Sequence, residues 1–166
     1  MPAPEVSWYS VDNTTQINKW DIGTVDAGDL SAEFSVLIWN NRGKDTDVSD
    51  MTNCSITTKD IGGGNGGDAQ NVTNELVFGK WIETQVTSLG ETGNTWTAIG
   101  GSTTKEIRGH AAGTPDKTIK GTANDGNHNT PASQGNFCML KLRANVPTEA
   151  TAGLINFLTR VSYQYV

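Results

Sequence analysis

Ala32-Glu33-Phe34-Ser35-Val36-Leu37-Ile38-Trp39-Asn40-Asn41 decides how the chain folds. Ala32, Phe34, Val36 and Ile38 fall on one side by strict alternation, the period of a pleated strand with one face in a core. Leu37 and Trp39 put apolar groups on the other side, so that face is expected to be covered too. Upstream, Trp20 to Ser31 reads as a first strand and its connection. Gly28, with Asp26 and Asp29 beside it, marks the turn, and Asn40-Asn41-Arg42-Gly43 closes the second strand.

Working outward, Val6 to Val11 predicts an earlier strand behind an extended, Pro-rich arm, residues 1–5, that could reach a neighbour. Cys54 to Lys59 alternates again. Residues 60–74 include Gly62-Gly63-Gly64-Asn65-Gly66-Gly67-Asp68 and read as a long flexible loop. Gly63 to Asp68 fits the opening of the calcium-binding nonapeptide G-G-x-G-x-D, yet Gln70 stands where a large apolar residue belongs and no second copy follows. A plain hairpin or linker loop is therefore expected there. Glu75 to Val86 predicts one long strand, bent or bulged at Gly79, and Thr95–Ile99 and Thr104–Arg108 predict a hairpin across Gly100-Gly101-Ser102. Residues 109–135 are nearly bare of large apolar groups apart from Ile119, and a loop of that length tends to be functional or ordered by a partner. Phe137 to Ala144 then sets Cys138, Leu140, Leu142 and Ala144 against Lys141 and Arg143. The last strand, Leu154 to Val166, directs Ile155, Phe157, Thr159, Val161, Tyr163 and Tyr165 inward. The expected core is Phe34, Val36, Ile38, Leu140, Leu142, Phe157, Val161 and Tyr163, in a single all-β domain over residues 1–166.

Composition agrees with many short strands and turns: of 166 residues, 35% are hydrophobic, 18% are charged and 19 are Gly. A net charge of −6 with scattered Lys and Arg argues against nucleic acid. No apolar run approaches the ~20 residues a membrane span needs, and Met1-Pro2-Ala3-Pro4-Glu5 lacks the basic start and apolar stretch of a signal peptide, so assembly in the cytoplasm without export is expected. In that reducing compartment Cys54 and Cys138 are expected as buried free thiols rather than a disulfide.

Two patterns carry a resemblance: W-D-x-G-T-V-x-A-G followed by an alternating strand ending W-N-N-R-G, Trp20 to Gly43, and V-P-T-E-A-T-A-G-x-x-x-F-x-x-R-V-S-Y-Q-Y, Val146 to Tyr165. They resemble the paired strands of immunoglobulin-like antiparallel β-sandwich modules, here with long Gly-rich loops. The Thr/Gly/Asn-rich style resembles virion proteins of tailed bacteriophages, in particular small capsid decoration proteins. That resemblance implies a structural protein on the capsid surface whose partner is the major capsid protein, with self-association into a trimer or other small ring. A glycan-binding surface module using exposed Trp, or a tail or baseplate component, are the alternatives.

Little in the sequence points to catalysis. No G-x-S-x-G elbow, phosphate-binding loop or Cys motif is present, and Asp26/Asp29 and Asp45/Asp47 sit in turns that already explain them. His110 and His128 lie in Gly-rich sequence without a rigid support for metal ligands, so exposed loop histidines are expected, whose removal leaves stability unchanged. Neither enzyme activity, cofactor nor metal is expected. The candidate partner contacts are Pro2 and Pro4 in the arm and His110, Pro115, His128 and Pro131 in the long loop, where free backbone groups are plentiful. Five Trp are present, and Trp20, Trp39, Trp81 and Trp96 lie in or beside expected strands, so core packing is their first reading and sugar stacking or interface anchoring the second.

Overall fold

The structure is a computed structural model that describes residues 1–67 and 72–166. Its strands are β1 (Val6–Ser10), β2 (Phe34–Asn40), β3 (Thr52–Asp60), β4 (Ile82–Gln85), β5 (Thr97–Ile99), β6 (Lys105–Glu106), β7 (Phe137–Ala144) and β8 (Phe157–Gln164), with a short helix α1 (Val72–Phe78) between β3 and β4. All pairings are antiparallel and make a five-stranded sheet, β1-β2-β7-β4-β5, and a three-stranded sheet, β6-β3-β8.

Alternation builds the core from facing rows of β2, β3 and β7. Val36 and Ile38 from β2 and Cys138, Leu140 and Leu142 from β7 lie in one buried cluster with Cys54 and Ile56 from β3. Phe34, Phe157, Val161 and Tyr163 pack against that cluster but are only half-buried. The opposite face of β2 is covered as well: Leu37 and Trp39 form a second buried cluster with Phe137, and the Trp39 and Phe137 rings lie 4.8 Å apart. Both cysteines are buried free thiols, and burial pushes each up to about 12.

Two expected strands are not strands. Trp20 to Ser31 is irregular: Gly23 (φ 77°) and Gly28 (φ 88°) turn the chain, and Asp21 Oδ1 accepts the Gly23 N–H at 3.0 Å. Only its end runs along other backbone, where Gly28 and Ser31 donate to the carbonyls of Val146 and Ala144 at 2.8 and 2.9 Å. Glu75 to Val86 divides into the end of α1 and β4. Leu76 and Val77, adjacent in sequence, are both buried, which a one-sided strand forbids and a helix turned into the core permits. The helix closes with Trp81 N–H donating to Leu76 O at 3.0 Å and Lys80 N–H to Val77 O at 3.2 Å, with Lys80 left-handed at φ 55°.

The long segment 109–135 folds against the body mainly through hydrogen bonds, with Ile119 buried in the apolar core beside Met51. Three buried asparagines hold it. Asn136 Nδ2 donates to the carbonyls of Asn40, Lys120 and Thr122 at 3.2, 3.0 and 2.8 Å. Asn41 Nδ2 reaches Thr46 O and Gly121 O, both at 2.8 Å, and Asn40 Nδ2 reaches Ile119 O in the segment at 3.5 Å as well as Ser49 O at 3.0 Å. A side-chain amide presents the same donor and acceptor as a peptide, so these residues act as ladder rungs where no strand runs.

Candidate functional site

Two open grooves lie at the aromatic end of the two-sheet body. Trp20 arrives on the irregular segment after Ile17, whose N–H is fixed to Trp8 O at 2.7 Å. Its ring stacks on Phe34 of β2 at 5.5 Å and 17° and meets Phe157 of β8 edge-on at 6.0 Å. A groove of about 570 Å³ lies on one side, between residues 19–27 and 150–157 with Leu76 and Trp81 behind. A second groove of about 470 Å³ lies on the other, with Trp8, Trp20, Phe34, Ile61 and Phe157 among its walls. Lys19, Ile155 and Asn156 border both. One wall of the first is pinned: Glu75 accepts from Thr151 through Oγ1 at 2.6 Å and N–H at 3.1 Å, which holds the Glu75 carboxyl below its ordinary range. Apolar walls with a few polar groups at the rim are the build of a surface for binding.

Of the tryptophans, Trp39 and Trp81 are buried, as core packing predicts, and Trp8, Trp20 and Trp96 are half-buried. Trp96 is capped by Arg143, whose guanidinium carbon sits 4.0 Å from the ring centroid while Nε pairs with Glu83 at 2.9 Å. Trp8 and Trp20 are thus the half-buried tryptophans that wall the grooves, with buried Trp81 behind the first.

The expected contact residues lie elsewhere. Pro2 is exposed and Pro4 half-buried, and the arm rests on its own chain: Pro2 O accepts the Ser49 N–H at 2.8 Å and Glu5 O the Asn41 N–H at 2.9 Å. Pro115 and Pro131 are exposed on the long segment. His110 and His128 come together around Phe137, at 5.4 and 6.5 Å between ring centroids, and both are half-buried rather than free in water. Neither set touches the Trp20 grooves.

His110 and Ser88 make the nearest approach to a catalytic pair. Ser88 Oγ accepts the Met139 N–H at 2.7 Å and shares a hydrogen bond with His110 Nδ1, 3.0 Å away. Burial lowers the His110 pKa. Ser88 is itself buried, and the pair ties the long segment to β7. Among the described residues no three His, Cys, Asp or Glu gather as metal ligands, and no helix is long and apolar enough to cross a membrane. The Asp60 carboxylate accepts the N–H groups of Gly62, Gly64 and Gly66 at 3.0, 2.9 and 3.1 Å, which lowers its pKa and orders the start of the Gly-rich loop. Asp68 and Gln70, on which the calcium reading turned, lie outside the described residues.

Fold and site together define an all-β protein of two antiparallel sheets with an aromatic opening at one end. No protein-family model matches the chain, and no curated protein is significantly similar to it.

Proposed function

We propose that this chain is a structural docking protein of a tailed-bacteriophage virion, a decoration protein that binds the outside of the capsid and stabilises the shell. The observation that carries the reading is the convergence of the two resembling stretches. Trp20 and Phe34 come from one, Phe157 from the other, and their rings form the wall between the grooves. Two antiparallel sheets closed by a terminal strand agree with an immunoglobulin-like sandwich, which belongs to the same proposal. The partner is the major capsid protein, and a small ring of copies on the shell is part of the reading. A ligand that binds only the assembled shell lowers the shell's free energy through mass action. Co-sedimentation of the purified chain with empty shells of the major capsid protein encoded nearest to it tests this. Saturable binding is expected, and a chain that stays in the supernatant at every concentration refutes it.

A second reading follows from Trp8 and Trp20, which flank an open groove with Asn18 and Asn156 at its rim. An aromatic face beside amide groups suits a sugar ring. Glycan-array binding lost on Trp20→Ala would favour this reading over capsid docking.

A further inference from the structure

We infer that the free edge of β8 accepts an extended strand from a partner protein, one that alternates apolar with acidic or polar residues; the inference rests on the docking role proposed above. Sheet edges are templates for another strand, and proteins blunt them by shortening, covering or charging them. In this fold β5 and β6 are three and two residues long. The edge of β1 is occupied by residues 15–17, with Ser10 N–H donating to Thr15 O at 2.8 Å and Ile17 N–H to Trp8 O at 2.7 Å. β8 has eight residues, pairs with β3 alone, and contains no proline. Among the described residues Phe157 to Tyr163 make no main-chain hydrogen bond outside the β3 ladder. In an antiparallel edge strand every second residue turns both N–H and C=O outward, so a row of unmet groups runs along this edge, beginning beside the second groove at Phe157 to Thr159.

The side chains say what kind of strand fits. Phe157, Thr159, Val161 and Tyr163 face the core, yet all four are only half-buried, unlike the inward set of β7. The core is incomplete along this edge, and Leu154 (82% exposed), Ile61 (65%) and Leu158 (38%) border it. An added strand would lay apolar side chains beside that inward row and over the Trp8 and Trp20 groove. Its other side chains would lie beside Leu158, Arg160 and Ser162. Lys59 stands opposite Leu158 in the β3–β8 register, one diagonal step from Arg160, and Lys19 rims the groove. In a chain of net charge −6 this rim carries cations that make no ion pair among the described residues. Carboxylates on the incoming strand therefore match it, whereas a second copy pairing through β8 would bring Arg160 and Lys59 toward their own counterparts.

The test uses the full chain and an end-blocked synthetic octapeptide that alternates valine with glutamate and threonine. Saturable binding is expected, with slowed amide exchange in β8 and a blue shift in tryptophan emission. The same peptide N-methylated at alternate residues should lose binding, and Arg160→Glu, at an exposed position, should weaken it roughly fivefold while leaving the melting temperature unchanged. Absence of saturable binding, equal binding of the N-methylated peptide, or slowed β8 exchange caused by self-association of the chain without peptide would each overturn the inference. Shell co-sedimentation run in parallel separates the two levels. Shell binding that persists in excess peptide and in Arg160→Glu overturns strand addition and leaves the docking role standing. Peptide binding without shell binding overturns the docking role and supports strand addition.

Discussion

Replacing Asn136 by alanine tests whether side-chain amides hold the long segment. Asn136 is fully buried, and its Nδ2 serves the carbonyls of Asn40, Lys120 and Thr122. Thr122 O keeps Asn124 Nδ2, at 3.0 Å, as a donor. The carbonyls of Asn40 and Lys120 lose the amide that served them, and an unmet buried carbonyl costs about 1–3 kcal/mol. A loss of about 3 kcal/mol is expected, which for a chain of this size lowers the melting temperature by roughly 6–12 °C. Urea unfolding gives the free energy, and native-state hydrogen exchange shows where it is lost. Protection should fall over residues 109–135 while the amides of β2 and β7 respond only to the global change. Asn127→Ala is the control: Asn127 is exposed and its side chain accepts the local Asn129 N–H at 3.0 Å, so a change within about 0.5 kcal/mol is expected. An Asn136→Ala loss below about 1 kcal/mol, or unchanged exchange in the long segment, would refute the reasoning.

Leu140 is fully buried between the sheets, so Leu140→Ala should cost about 2–5 kcal/mol in urea unfolding. Gly121 presses on the backbone of Val48 and Ser49, where a Cβ would overlap both carbonyl oxygens, so Gly121→Ala should cost about 1–3 kcal/mol. His110 is held neutral by burial, so its folded pKa lies below the unfolded 6.5. Its contribution to stability is complete above that value and falls as pH drops through it toward the folded pKa, and His110→Gln should remove this part of the pH dependence of the melting temperature. The thiols of Cys54 and Cys138, pushed up to about 12, should ignore a thiol reagent at pH 8 in the native state and react fully on unfolding. Because their folded pKa values are raised, any stability they lend is present below the ordinary 9.0 and lost as pH rises beyond it.

Strict alternation made β2, β7 and β8 readable, since a pleat admits only one assignment of Val36, Ile38, Leu140 and Leu142. Glu75 to Val86 misled because a short apolar run fits either period, and Lys80, a residue without special turn preference, takes the left-handed position that ends the helix. Trp20 to Ser31 misled because its apolar spacing fits a strand while its glycines at positive φ break the ladder. The candidate opening was half visible: Trp20 stood out, but its neighbours Ile61, Ile155 and Asn156 come from two distant stretches, which only the fold joins. The order in residues 109–135 was hidden because asparagine looks the same in a solvated turn and in a buried network. Apolar poverty predicted freedom, and buried amide hydrogen bonds, with Ile119 as an apolar anchor, supplied the order instead.

The asparagine clasp grips carbonyl oxygens, which every amino acid carries, and so constrains the path of the long segment more than its spelling. Ahead of the clasped carbonyls of Lys120 and Gly121, outward letters such as Pro115 and Asp116 can be rewritten without disturbing the grip. That makes the segment a ready place to graft a foreign epitope, and a region where sister sequences can diverge quickly while their backbones stay superimposable.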